Sequence, residues 1–281
     1  MTMPSQQDPA YVLGHDEAEL ARLARQAGIL NQLTAPLLQQ AGVSAGMRVC
    51  DVGCAAGDMT FQVADAVGPT GAVVGIDRSA DALATARARA RQANRTNVEF
   101  VDGDLGAAAL NVPETSFDAI TGRAVLYVLK DPISTLRLLA RYVRPGGLLL
   151  FHEFDFTLAG LAWPPSPLWQ TIGYWWREVQ QRAGLNPQMG LKLHSAFVQA
   201  GLPEPQLRHD IAMDGGPQSP FYDWIASTTR SIVPGLAAFG VATPETVAIE
   251  TLEDRLRTEV VAGGGVLLSP PMIGAWARLP E

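Results

Sequence analysis

Short apolar runs bounded by glycine or proline alternate along the first 154 residues with longer segments whose apolar positions recur at helical spacing. Met47 to Val52 predicts a buried parallel strand, since its apolar run shows no polar face. Thr60 to Val67 predicts a helix and Ala72 to Ile76 a second strand, ended by Asp77. Ala80 to Asn94, rich in the helix formers alanine and arginine, predicts the next helix. Asn97 to Val101 and Phe117 to Arg123 read as the third and fourth strands. Asp131-Pro132 opens a helix running to about Tyr142, with proline in its first turn. Arg144-Pro-Gly-Gly147 then turns into a fifth strand, Leu148 to Phe151, extending to His152-Glu153. Strand and helix in strict alternation predict an α/β fold around a mostly parallel sheet.

The flanks are helical by pattern. Asp16 to Ala27 and about Ile29 to Ala41 predict two helices ahead of the first strand, the first with acids at its start and arginines in its later turn. Leu161 to Leu185 predicts a helical segment carrying Trp163, Trp169, Tyr174, Trp175 and Trp176. Leu191 to Ala200 predicts a helix and Glu204 to Met213 a sixth strand. Two more helices, about Phe221 to Ile232 and Pro244 to Val261, precede a last strand. That strand is expected at Gly265 to Leu268, continuing to about Trp276 after Pro270-Pro271. The chain thus divides into N-terminal helices (1–45), a nucleotide-binding core (46–157), a helical insertion (158–188) and the end of the sheet (189–281) with its own insertion at about 218–262.

Candidate chemistry concentrates between the first two strands. Gly53 and Gly57 let the backbone turn tightly and approach a ligand with no Cβ between them. The helix that follows directs its N-terminus at that turn, where it can attract a carboxylate or phosphate. Asp77, 24 positions after Gly53, ends the second strand where an acid can accept hydrogen bonds from both ribose hydroxyls. The dinucleotide fingerprint needs glycine at the first, third and sixth places. Here those places hold Gly53, Ala55 and Asp58, so two of three fail. The pattern acid-x-Gly-x-x-x-Gly is met instead by Asp51, Gly53 and Gly57.

With a strand on each side and Asp77 in place, this unit resembles the class I S-adenosylmethionine-dependent methyltransferases. The resemblance implies a Rossmann-like seven-stranded sheet whose last strand is antiparallel, with helical cap insertions over the cleft. It implies S-adenosylmethionine as cofactor, S-adenosylhomocysteine as product, and cofactor contacts at Asp51, Gly53, Ala55, Gly57, Asp77 and Arg78. In that family glycine usually stands where this chain has Ala55, which adds one methyl beside the cofactor's methionine moiety. The resemblance further places Asp104 at the adenine amine, the backbone of Leu105 at the adenine ring and Arg123 at the methionine part. Gln26 and Tyr11, from N-terminal helices that lie over the cleft in such enzymes, are expected at cofactor or substrate.

The end of the fifth strand lies beside the transferred methyl in the same family. Both faces of a central parallel strand are normally covered by apolar residues, so a polar pair there must be hydrogen-bonded or face the cleft. His152 and Glu153 are therefore the candidate general bases, with a structural hydrogen bond as the alternative. Tyr127, Trp175 and Trp176 are the candidate substrate contacts. All six tryptophans lie between Trp163 and Trp276, which suits an apolar or aromatic small substrate, although most of them are expected in the cap's own core. Two other readings stay open. The fold can support cyclisation or rearrangement with the sulfonium acting as a fixed charge, or a non-catalytic scaffold that retains the cofactor site.

Composition narrows the partners. A net charge of −7 argues against nucleic acid, which needs a concentrated basic surface. Cys50 and Cys54 cannot form a disulfide framework and suit a reduced, cytoplasmic setting. No apolar stretch reaches the ~18 residues of a membrane span, and no signal-peptide pattern opens the chain. His15, His152, His194 and His209 are too scattered to argue a metal site. A homodimer is compatible with these features and is specified by none of them.

Overall fold

The computed structural model describes residues 17–107, 109–110 and 112–281, so Tyr11 lies outside the described residues. Seven strands form one sheet in the order β3-β2-β1-β4-β5-β10-β7. Its members are β1 (Arg48–Val52), β2 (Ala72–Asp77), β3 (Val98–Asp102), β4 (Phe117–Arg123), β5 (Val143–Phe154), β7 (Gln206–Asp210) and β10 (Met272–Arg278). The first five pair in parallel, and β10 runs antiparallel to both β5 and β7. Strand order reverses between β1 and β4, so a crevice opens at their carboxyl ends, where open α/β sheets take ligands.

Helices cover both faces. Helix α1 (Glu17–Ala41) and α2 (Asp58–Val67) pack Leu37, Leu38, Val63 and Ala64 on one face, against Val49, Ala119, Leu148 and Leu150. Helix α4 (Pro132–Ala140) and α6 (Met189–Gln199) pack Leu136, Leu139, Leu193 and Phe197 on the other, against Cys50, Ile120, Leu149 and Phe151. The alternation along β5 is strict, so consecutive side chains there face opposite helix layers. Helix α3 (Ala80–Gln92) sets Leu83, Ala86 and Ala90 against Phe100 of β3.

The remaining elements build the cap: α5 (Pro167–Arg182), α7 (Phe221–Ala238), the short α8 (Pro244–Val247) and α9 (Leu252–Ala262). A three-stranded sheet of β6 (Ala162–Trp163), β8 (Met213–Gly215) and β9 (Val266–Leu268) joins them in the order β6-β9-β8. Ser166 caps α5 through the N–H of Trp169, and its hydroxyl donates to Glu259 of α9, which ties the two cap helices together. No helix among the described residues is long and apolar enough to cross a membrane.

The sixth strand spans only Gln206–Asp210, with Met213 passing to the small sheet, and four further boundaries differ from expectation for a local reason. The two N-terminal helices are one, because Gly28 faces solvent and costs a helix only about 1 kcal/mol. Meanwhile Ala27, Leu30, Thr34, Leu37 and Ala41 keep one buried stripe at spacings of three and four. Helix α5 starts at Pro167 rather than Leu161, since Pro164 and Pro165 cannot supply helical N–H groups. The segment from Pro244 breaks at Ala248, which takes the left-handed conformation at φ 45°. The last strand divides: Val266–Leu268 belongs to the small sheet, and Pro270-Pro271 separates it from Met272–Arg278, which alone closes the main sheet.

Candidate active site

The turn between β1 and α2 is built for close approach. Gly53 (φ 67°) and Gly57 (φ 88°) both lie in the left-handed region, and a Cβ at Gly53 would stand 2.4 Å from Val125 Cγ2. Ala55 adopts the same region at φ 47°, where a methyl-bearing residue is strained. What holds it is Asp77. One carboxylate oxygen accepts the Ala55 N–H at 2.9 Å, and the other accepts the Ser79 N–H at 2.9 Å. Two of the four acceptor positions of that carboxylate are thereby used, which leaves two for a ligand diol.

Asp51 sits behind the turn, fully buried, accepting the Thr60 hydroxyl at 2.6 Å. Burial raises its carboxyl to about 7, against the opposing pull of Thr60 and Arg123. Arg123 is held at the end of β4 by α1, donating to Asn31 Oδ1 at 2.9 Å and to Thr34 Oγ1 at 3.1 Å. Burial lowers its pKa, partly offset by Asp58 and Asp51. A cavity of about 710 Å³ connects these groups. Its wall includes Asp51, Gly53, Ala55, Asp77, Arg78, Asp104, Leu105, Arg123, Gln26 and Tyr127, which were each expected at the site. Gly57 does not line the cavity; it caps α2, and its lack of a Cβ gives room to the Phe61 and Phe100 rings.

These groups fit S-adenosylmethionine chemically. Open acceptors on Asp77 suit ribose hydroxyls, and Asp104, which also accepts the Gly106 N–H at 2.8 Å, suits an exocyclic amine. Among the described residues no carboxylate is in salt-bridge contact with the Arg123 guanidinium, so a ligand carboxylate would find a desolvated cation there.

The two expected bases are placed elsewhere. Glu153 and His152 are fully buried, do not line the cavity, and point to opposite faces of the sheet, as consecutive strand residues must. One Glu153 oxygen accepts the N–H groups of Val125 (3.0 Å) and Leu126 (2.9 Å), and the other accepts that of Tyr127 (3.2 Å). The carboxylate therefore shapes the cavity-lining loop after β4. Ala124, which opens this loop, is held at φ 54°. Burial raises Glu153 to about 7 against the pull of those three N–H groups.

His152 lies under α1. The Thr34 hydroxyl lies 3.0 Å from the Leu30 carbonyl and is hydrogen-bonded to His152 Nδ1 at 3.2 Å, the donor of that bond being set by the ring's tautomer. Nε2 faces Asp210 Oδ2 at 3.7 Å, beyond hydrogen-bond distance, and neither atom has a hydrogen-bond partner. Burial, with Arg123 and Arg208 nearby, lowers the imidazole to about 3 and keeps it neutral. A structural hydrogen bond is thus the role each residue fills.

Away from the turn the cavity has an apolar wall of Tyr127, Phe154, Phe156, Trp176, Val179, Leu185 and Ile232, interrupted by Gln180, Thr228 and Arg22, whose guanidinium donates to Thr228 Oγ1 at 3.4 Å. Of the tryptophans, all of them described, only Trp176 contributes. Trp175 is buried in the cap, and Trp169, Trp176 and Trp224 stack edge to face as its core. Phe154 and Phe156 escaped sequence reasoning, although they follow Glu153 by one and three positions and continue the strand end into the crevice. Gln180, Thr228 and Ile232 come from cap helices whose orientation no local pattern reveals.

Fold and cavity together define a Rossmann-like enzyme scaffold with a nucleotide-binding crevice. Residues 43–182 match a family model described as a methyltransferase domain. The demethylmenaquinone methyltransferase of Lactococcus lactis is 34% identical over 119 residues, which is 42% of this chain and 46% of that protein. The one from Shouchella clausii is 35% identical over 116 residues, 41% of this chain and 48% of that protein. The chain spans about half the length of the curated relatives it matches. Among solved structures, phosphoethanolamine N-methyltransferase 2 of Haemonchus contortus, with phosphomonomethylethanolamine and S-adenosylhomocysteine, superposes with a TM-score of 0.60. It is 16% identical, over 99% of this chain and 62% of that one. The [4+2]-cyclase SpnF superposes at 0.52 with 21% identity, over 89% and 80% of the two chains. At such identities the likeness speaks for the fold. The chain belongs to the class I S-adenosylmethionine-dependent methyltransferases.

Proposed function

We propose that this chain transfers a methyl group to an O, N or C nucleophile of an apolar, aromatic small molecule, as an enzyme of specialised metabolism. The observation that carries this reading is the single cavity that runs from the Asp77 and Arg123 end to the wall of Tyr127, Phe154, Phe156 and Trp176. The names of the curated relatives, which act on a demethylated quinone, support an aromatic acceptor of that kind. Two free cysteines, both buried, support a cytoplasmic setting.

When bound, S-adenosylmethionine supplies a methyl on a sulfonium whose leaving group departs neutral. The work of this chain is therefore alignment and exclusion of water. Asp77 and Asp104 would fix the nucleoside, and Arg123 the carboxylate. Segments 158–188 and 218–262 act as the cap, with α1 closing the cleft through Gln26. No base is drawn from β5, because Glu153 and His152 are committed to structural bonds; an acceptor that is acidic on its own account meets this chemistry best.

The test is incubation with methyl-deuterated S-adenosylmethionine and a panel of hydroxylated aromatics, read by mass spectrometry. The reading predicts a deuteromethyl product in step with S-adenosylhomocysteine. Cofactor binding with no S-adenosylhomocysteine across the panel would overturn it. A rearranged product without S-adenosylhomocysteine would favour cyclisation, the activity named for the structural neighbour SpnF.

A further inference from the structure

Arg123 is held from one side. Both hydrogens of its Nη1 go to α1, where Asn31 Oδ1 accepts at 2.9 Å and Thr34 Oγ1 at 3.1 Å. Its Nε and Nη2 make no hydrogen bond among the described residues, and neither is sealed in the interior, while the residue itself lines the cavity. In a guanidinium Nη1 lies on the side of Cδ, so the Nε–H and one Nη2–H point the other way as a parallel pair. That pair is the edge that takes a carboxylate through two bonds at once.

The two acceptors on α1 are neutral. They orient the guanidinium without cancelling its charge, which a carboxylate in either place would do. Each is itself held. Thr34 is fully buried and hydrogen-bonded to His152 Nδ1 at 3.2 Å, and the Gln62 side chain of α2 donates to the Asn31 carbonyl at 2.6 Å. An arginine left loose keeps rotamer freedom that a ligand must quench, whereas here that freedom is lost on folding. We propose that Asn31 and Thr34 are positioning residues for the cofactor's amino-acid end. By taking both Nη1 hydrogens they fix the Nε and Nη2 edge of Arg123 as a two-donor fork for a carboxylate. This assignment rests on the reading of Arg123 as the cofactor's carboxylate site.

The test uses two ligands that differ by that carboxylate alone. Binding of S-adenosylhomocysteine and of S-adenosyl-3-thiopropylamine, its decarboxylated form, is measured by calorimetry for wild type, Asn31→Leu, Thr34→Val and Arg123→Met, with thermal melts to confirm folding. Wild type should prefer S-adenosylhomocysteine by roughly ten-fold or more, the worth of a charge-assisted pair. Asn31→Leu and Thr34→Val should each weaken S-adenosylhomocysteine by about five- to ten-fold, from the freedom returned to Arg123, and leave the amine's affinity as in wild type. Thr34→Ser, which restores the hydroxyl, should restore the affinity. Equal weakening of both ligands overturns the proposal, because a general defect in the fold does the same. A preference lost in Arg123→Met yet intact in Asn31→Leu and Thr34→Val overturns the proposal and leaves the reading of Arg123 standing. No preference in wild type, or one that survives Arg123→Met, removes Arg123 from the carboxylate and takes the proposal with it.

Discussion

Replacing Asp77 by asparagine separates two jobs that one carboxylate performs. Its oxygens accept the N–H groups of Ala55 and Ser79, each at 2.9 Å, and so clamp the glycine turn to the end of β2. Asparagine keeps one oxygen and presents an NH₂ to the other N–H, so one of the two bonds must go. Because Asp77 is part-exposed and water reaches the orphaned group, the loss should sit at the low end, about 1–1.5 kcal/mol in urea unfolding without ligand. The variant also removes the charge that would hold the ribose diol, a further 1.5–3 kcal/mol or so of binding. S-adenosylhomocysteine affinity should therefore fall between about ten-fold and a hundred-fold by calorimetry. Both losses are required. Weaker binding with unchanged stability would mean that Asp77 does not clamp the turn, and unchanged binding would remove it from the site.

Glu153→Gln tests the placement of that carboxyl through pH. Its folded pKa, about 7, is raised above the ordinary 4.5, so its contribution is complete below about pH 4.5 and lost as pH rises through 7. The stability of wild type minus that of the variant should drop by about 3 kcal/mol between pH 5 and 8; a constant difference would refute the assignment. The His152 ring, lowered to about 3, should show no titration in proton NMR between pH 8 and pH 5, and a midpoint near 6.5 would contradict its burial as a neutral group. Ala55→Gly relieves a left-handed alanine but adds freedom to the unfolded chain, so unfolding stability should rise by about 0.5–1 kcal/mol. A lower melting temperature would show that the methyl at Ala55 packs favourably.

The core of the fold was legible because its strands announce themselves twice, by apolar run and by the turn residue that ends each. Asp51, Gly53 and Asp77 could be placed from spacing alone. The fifth strand shows where that reasoning stops. The sequence marks His152 and Glu153 as polar residues in an apolar strand, and the two-residue period already forbids both from facing one cleft. Which face holds the cavity depends on the packing of α1 and α6, which is tertiary information. The cap was legible only as helical. Breaks at Ala248 and at Pro270-Pro271, and the diversion of Val266–Leu268 into a separate sheet, arise from local backbone chemistry that outweighs the longer apolar pattern. Gln180 carries no sequence signal at all: a glutamine near the end of an amphipathic helix is ordinary until its neighbours are known.

Calorimetric titration of the purified chain with S-adenosylmethionine, and then with S-adenosylhomocysteine, tests the central claim most directly. The geometry of Asp77, Asp104 and Arg123 predicts that both bind at one site, with dissociation constants on the order of 1–10 μM, or about −7 to −8 kcal/mol. Absence of binding by either at concentrations a hundred times higher would contradict the account, leaving a methyltransferase fold whose glycine turn, with alanine at position 55, no longer admits the cofactor.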